Sequence, residues 1–457
     1  MLLLVLALQV QGCAGLLPPA EPIPLTSASG LTLDCLDVVI DGAVREDAVR
    51  RALLTRVGAP FDAETWGRDL QSLANLGFFR RLETEVLRID DRRVALRLHV
   101  RTAWSLLPFL GYEGGAVPVI IVGAYYADLL GEMLDVGGYY MRRGPYDLGR
   151  AWVTLPHQLL PRSLLDVQLV MTGELRPDYA RGSWRIPRSG VEVLKRGGYA
   201  DFGWQPAADL LTLSVRYALL RETTVVVDNL PAVVDLEAPL ERGARSEATL
   251  SVLCLTALLG QIDLVDNFLF RGHELRVVGL ASSRRLGSSR DFALVYGAYR
   301  GFTGLTRDLT LGVRVTAAHS TSASANDDLV LGGYNLEPFV HGSKYPGLLS
   351  VRGVRPGLLH GPELGFVNLE LRQTVLRDVD LPLAGGTSLE LAVFVDAGSA
   401  GRGPARGIVG DTAVAGGVGA LLTLLEFRYT YVDWYVARVV RPYGGYAFNI
   451  VVTRPFF

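Results

Sequence analysis

Two periodicities divide the chain. In residues 33–103 the first apolar cluster is Val38-Val39-Ile40, a short strand ended by the turn pair Asp41-Gly42. Val49, Leu53, Leu54 and Val57 then fall at helical spacing up to Gly58. Trp66, Leu70, Leu73 and Leu76 repeat that spacing and stop at Gly77. Two strands follow, Leu82 to Ile89 and Val94 to Val100, the second with Val94, Leu96, Leu98 and Val100 on one face. The pattern predicts a small β-α-α-β-β domain over residues 33–103, preceded by a Pro-rich linker over 21–32.

From residue 105 to 457 the period becomes two. Leu211, Leu213, Val215, Tyr217 and Leu219 alternate with Thr212, Ser214, Arg216 and Ala218. Leu309, Leu311, Val313 and Val315 repeat the alternation, as do Leu389, Leu391, Val393 and Val395. A soluble sandwich alternates too, but its domains run near about 100 residues, and no linker divides this region. A membrane barrel places the apolar set outside and the polar set inside. About 350 residues at roughly 22 per strand and connection give about 16 strands. The prediction is therefore a mainly β fold, a 16-stranded antiparallel transmembrane β-barrel.

Two stretches break the alternation, about 226–245 and about 320–362. The second is Gly- and Pro-rich and too long for a plain hairpin, which predicts a functional or inward-folded loop. At the C-terminus Tyr446, Phe448, Ile450 and Val452 share a face, and Phe456 and Phe457 end the chain. These aromatics fit an interfacial girdle, a C-terminal assembly signal, or both.

Composition narrows the class. The chain of 457 residues is 49% hydrophobic with a mean hydropathy of +0.26, yet no apolar run after the N-terminus reaches the 18 to 20 residues a membrane helix needs. A multi-pass helical protein is excluded, and with only 20% charged residues so is general disorder. Fifty-one glycines suit turns and tightly packed strands. The 45 basic and 47 acidic residues nearly cancel, leaving no basic stripe for nucleic acid. Residues 1–20 read as a signal peptide without the usual positive start. Val10-Gln11-Gly12-Cys13 loosely matches a lipoprotein box; cleavage between Cys13 and Ala20, or lipidation of Cys13, both fit. Cys13, Cys35 and Cys254 imply no disulfide framework.

One constellation carries chemistry. Val351-Arg352-Gly353 lies in the long loop, followed by a strand with Asn368, Glu370 and Arg372 on its polar face. The next strand ends Phe394-Val395-Asp396-Ala397-Gly398, and parity puts Glu390 and Asp396 on the lumen side with Glu370. An arginine on an inward loop can pair with these acids and fix the loop in one position. The plainer reading is a lumenal ion-pair network of the kind any barrel carries. Gly416-Gly417-Val418-Gly419 has no following helix and fits strand packing rather than a phosphate loop. The six histidines lack metal-ligand spacing, and no G-x-S-x-G elbow occurs, so no enzyme activity, metal or cofactor is expected.

Taken in order, these motifs resemble the BamA/TamA superfamily of outer-membrane assembly and translocation barrels over nearly the whole mature chain. Residues 33–103, with Asp41-Gly42 and Asn75-Leu76-Gly77-Phe78-Phe79, resemble a single POTRA module. The resemblance implies an inward loop whose Arg352 contacts Asp396 and Glu370, and a weakly paired seam between first and last strands. It implies protein clients, unfolded outer-membrane or secreted chains, received by POTRA in the periplasm and admitted at the seam. Outer-membrane lipids, lipopolysaccharide and periplasmic accessory proteins are the other implied partners. Two departures stand out: Val354 follows Val-Arg-Gly where the family has an aromatic, and there is room for one POTRA module only. A two-partner-secretion type pore and a passive channel are the alternatives.

Overall fold

The computed structural model describes residues 22–453 except 77–78, 115–118, 144–145, 158–159, 161, 180–186, 208–209, 229–240, 267–268, 323–328, 332–350, 355–358, 382–384, 402–411, 426–429 and 442–443. The expected signal peptide, Cys13, Gly77, Phe78, Phe456 and Phe457 lie outside the described residues. The chain divides into two compact units, Met1–Ala103 with Leu130–Met133, and Trp104–Leu129 with Leu134–Phe457.

The first unit is a small α/β domain. Its elements are β1 (Thr32–Asp41), α1 (Glu46–Ala52), α2 (Ala63–Asn75), β2 (Phe79–Arg88) and β3 (Arg93–Thr102). The sheet order is β1-β3-β2, with β3 parallel to β1 and antiparallel to β2. Central β3 turns Val94, Leu96, Leu98 and Val100 inward, and Trp66 and Leu73 of α2 pack in the same buried core. The N-cap of α2 is Asp62, whose carboxylate accepts from Thr65 N–H (3.0 Å) and Thr65 Oγ1 (2.6 Å). After Asp41 the chain turns at Gly42 with φ +145°, where a Cβ would lie 1.8 Å from Thr102 Oγ1, so only glycine fits. Phe79 opens β2 and is buried.

The helical spacing of Val49, Leu53, Leu54 and Val57 overstates α1, which ends at Ala52 with Leu53 already extended. The cause is Asp69, a wholly buried carboxylate on α2. It accepts from the backbone N–H groups of Leu54 and Thr55 (2.8 Å each) and from Thr55 Oγ1 (2.7 Å). Those amides are thereby withdrawn from a continuing helix. Against the expectation that the cysteines imply no disulfide framework, Cys35 is disulfide-bonded, while Cys254 of the second unit is a free buried thiol.

The second unit is a closed antiparallel barrel of 16 strands. In chain order they are β4 (Leu106–Gly114), β5 (Val119–Leu129), β6 (Leu134–Arg143), β7 (Tyr146–Pro156), β8 (Ser163–Tyr179), β9 (Pro187–Ala207), β10 (Leu211–Asp228), β11 (Glu241–Val265), β12 (Leu269–Ser282), β13 (Phe292–Gly304) and β14 (Leu309–Ser320). A short hairpin, β15 (Leu329–Leu331) with β16 (Leu359–Gly361), interrupts the series inside the long connection. The wall then resumes with β17 (Glu363–Leu381), β18 (Gly385–Gly401), β19 (Thr412–Leu424), β20 (Thr430–Arg441) and β21 (Gly445–Thr453), which pairs with β4 to close the ring.

The faces are inverted relative to a soluble protein. Leu213, Val215, Tyr217 and Leu219 are exposed on the outside of β10, while Arg216 of the same strand is buried inside. Leu391, Val393 and Val395 are exposed on β18, while Glu390 and Asp396 are buried. Such a wall is stable only with lipid around it, so the unit is a membrane-spanning barrel. The stretch 226–245 is less of a loop than the pattern predicts, because β10 and β11 remain paired out to Asp228↔Glu241. Charged residues stand on both faces of those extensions, which erases the alternation without ending the ladder.

Candidate functional site

The site forms where β17 and β18 turn acids inward and the long loop returns to meet them. Register sets Glu370 opposite Phe394 and Asn368 opposite Asp396. Glu370 and Asp396 are therefore diagonal neighbours on the lumenal face, a separation one guanidinium fork can bridge.

Arg352 makes that bridge. Its Nε donates to Asp396 Oδ2 (2.8 Å), its Nη2 to Asp396 Oδ1 (2.9 Å) and its Nη1 to Glu370 Oε2 (2.5 Å). Its backbone N–H also donates to Asp396 Oδ2 (3.0 Å). The guanidinium lies 3.5 Å from the centroid of the Phe394 ring. Phe394 meets Tyr435 of β20 edge-on, with centroids 5.8 Å apart. Gly417 of β19 makes room for that ring, since a Cβ there would lie 2.7 Å from Phe394 Cζ. Asp396 is wholly buried, and the described bonds to its carboxylate all come from Arg352.

The residues flanking the arginine anchor the loop by packing. Val351 and Val354 are wholly buried in one apolar cluster with Leu329, Leu331 and Leu359 of the loop hairpin and Ala413, Ala415 and Val439 of the wall. Val354 thus fills an apolar site where the family resemblance expects an aromatic. Gly353 has φ +77°, and a Cβ there would sit 3.1 Å from the Cβ atoms of Ala437 and Ala447. That contact seats the loop tip on β20 and β21. Gly398 serves the hairpin in the same way, because a Cβ would come within 2.9 Å of Leu331 Cδ1.

A second arginine completes the charge pattern. Arg372 of β17 pairs with Glu370 and lies 3.9 Å from Glu390. Asp433 of β20 stands within electrostatic range of Glu370, Arg352 and Arg372. The structure brings Val351, Arg352, Gly353, Glu370, Asp396 and Gly398 together. Asp41, Gly42 and Phe79 lie in the other unit and are not part of this site. Sequence reasoning missed the roles of Phe394, Tyr435 and Asp433. They become neighbours only through strand register, although the inward parity of each is readable.

The seam lies next to the strand pair that carries Gly353. Among the described residues, β21 and β4 pair from Phe448↔Gly114 to Val452↔Leu110, whereas β20 and β21 pair from Tyr431↔Thr453 to Val439↔Gly445. Phe448 and Ile450 face outward at the seam, where Phe448 meets Tyr112 with ring centroids 5.6 Å apart. Pro108 in β4 has no N–H to give a ladder, which suits a weakly paired edge.

No family profile and no curated protein matches the sequence. Solved structures do. CdiB from Escherichia coli aligns with a TM-score of 0.62 at 12% identity, covering 95% of this chain and 79% of that one. CdiB from Acinetobacter baumannii aligns at 0.57 and 12%, covering 93% and 74%. BamA from Haemophilus ducreyi lacking POTRA domains 1–3 aligns at 0.53 and 13%, covering 93% and 84%. At this identity the likeness speaks for architecture, and by architecture the chain has the fold of BamA and CdiB: a 16-stranded membrane barrel with a small α/β domain before it.

Proposed function

We propose that the protein is an outer-membrane factor of the BamA/TamA type that inserts or translocates other polypeptides at the seam between β4 and β21. The observation that carries this reading is the loop latch, in which Arg352 is held by Asp396 and Glu370 while Gly353 rests on β20 and β21. A passive channel needs no loop fastened to the strands beside its seam. Loop and seam share one strand, since Gly353 packs against Ala447 of β21, next to Phe448 where the pairing with β4 begins, so movement of the loop loosens the seam. Incoming strands then pair with the exposed ladder groups, the general route of β-augmentation.

In this reading the α/β domain is a POTRA module in the periplasm that receives unfolded chains. Its sheet has β2 as an edge strand, met at its far end by Ile23, whose N–H donates to Val86 O (2.9 Å). Accessory periplasmic proteins and the lipids of the outer membrane are the further partners. The test is complementation of a depletion strain. Arg352→Ala should yield a folded barrel with impaired client assembly; unimpaired assembly would refute the latch. A dedicated secretion pore is the second reading, supported by the fold shared with the two CdiB structures. Client capture by crosslinking at β4 and β21 separates the two, since a secretion pore yields one client.

A further inference from the structure

The outer wall carries a basic cluster that the latch and seam do not use. Lipid-facing positions of β10 run apolar from Leu211 to Leu219. At about 3.4 Å per residue and a tilt near 40° these nine residues rise roughly 21 Å, close to the height of an apolar membrane band. The next outward position is Arg221, which is exposed. It therefore stands at the rim of the band. The strands alternate in direction, so this rim is opposite to the one where the chain enters β4.

Register places Arg196 of β9 directly opposite Arg221, and Arg196 is exposed as well. Like charges directly opposite each other on a sheet destabilise it. On β11 the outward residues beyond are Glu247 and Arg245, opposite Thr223 and Val225. Glu247 pairs with Arg221 and also with Arg245 (2.8 Å). Arg221 and Arg245 thus share the Glu247 carboxylate while Arg196 faces Arg221 across the ladder, so the three arginines and one acid carry a formal net charge of +2 just beyond the apolar band. A single interfacial arginine is an ordinary anchor. A repulsive cross-strand pair with a third arginine beside it is a site arranged for an anion. Leu169 and Leu219 just below it offer acyl chains an apolar surface.

We infer that Arg196, Arg221 and Arg245 bind the phosphate of a phosphorylated lipid headgroup in the leaflet at that rim. The geometry suits it: arginine forks match phosphate oxygens, and the acyl chains lie along β8 to β10. The inference rests on the outer-membrane placement proposed above, which makes this leaflet the outer one and its phosphorylated glycolipid the occupant.

The test uses the purified full chain in detergent, titrated with bisphosphorylated lipid A and read by native mass spectrometry. Wild type should hold the lipid, and Arg196→Gln with Arg221→Gln should weaken binding roughly 30-fold. Dephosphorylated lipid A should bind wild type no better than phosphorylated lipid binds the double variant. Equal affinity of wild type and variant, or no preference for the phosphorylated lipid, overturns the site. Displacement by equimolar inorganic phosphate makes it a free-anion site and overturns the lipid assignment. Heat-dependent electrophoretic mobility checks that the barrel is folded; should the double variant fail it, Arg245→Gln alone is expected to cost about 5-fold, and no loss there overturns the site. Lipid binding is read without clients. A chain that binds lipid but assembles nothing therefore refutes the proposed function and leaves the site, while the converse refutes the site alone.

Discussion

Replacing Arg352 with alanine removes the side-chain half of the latch and leaves the backbone bond to Asp396 in place. Two bonds to Asp396, one to Glu370 and the stacking on Phe394 are lost. The two acids fare differently. Glu370 keeps Arg372, whereas Asp396 is wholly buried and retains from the described set only the Arg352 N–H. Removing one partner of a buried ion pair costs about 3–5 kcal/mol, most of it from the stranded charge. At 1.4 kcal/mol per tenfold, the released loop gains about two to three and a half orders of magnitude over the seated one. Hydrogen exchange on the detergent-solubilised protein reads this directly. The N–H of Arg352 bonds Asp396 and that of Val354 bonds Val351 O (3.3 Å), so both are protected when the loop is seated. Their protection should fall by at least a hundredfold while that of β17 and β18 is kept. Protection within threefold of wild type would refute the reasoning and assign the loop's position to the packing of Val351 and Val354.

Further predictions follow from the same geometry. Gly353→Val should strain the backbone at φ +77° and wedge a side chain against Ala437 and Ala447; a loss of about 1–3 kcal/mol in loop seating is expected, seen as faster exchange at Val354. Residues 22–103 expressed alone should fold, and Asp69→Ala should lower their stability to urea by about 2–4 kcal/mol by orphaning the Leu54 and Thr55 amides. Bonds from Thr65 Oγ1 and then Thr65 N–H hold the Asp62 carboxyl below the usual carboxylate range. Its support of α2 is thus complete above the unfolded value near about 3.9 and is lost as pH falls through the lower folded value. A carboxyl titration by NMR should place its midpoint below that value, and a midpoint at or above it would contradict the cap.

Much of this was legible in the sequence, for a physical reason. A strand has a side-chain period of two, so any residue's face follows from its neighbours once one lipid-facing residue is known. That is why Glu370, Glu390 and Asp396 could be placed inside together before any register was known. Register itself was not legible, and Phe394, Tyr435 and Asp433 joined the site only through it. The far ends of β10 and β11 were hidden because Arg242, Arg245 and Glu247 stand beyond the apolar band, where alternation no longer reports pairing. The end of α1 was hidden because Leu53 and Leu54 keep helical spacing while Asp69, 15 residues after Leu54, takes the amides. Val354 was noted as a departure, but its burial among loop and wall residues was not readable from its identity.

The central claim is that clients enter where β4 and β21 meet. Ile450 and Tyr112 are register partners on the outward face of that seam, so Ile450→Cys with Tyr112→Cys can join it by a disulfide. The decisive measurement is client assembly by this double variant, oxidised and then reduced. Assembly should stop in the oxidised barrel and return on reduction, with each single variant active throughout. Undiminished assembly by the fully crosslinked barrel would contradict the account.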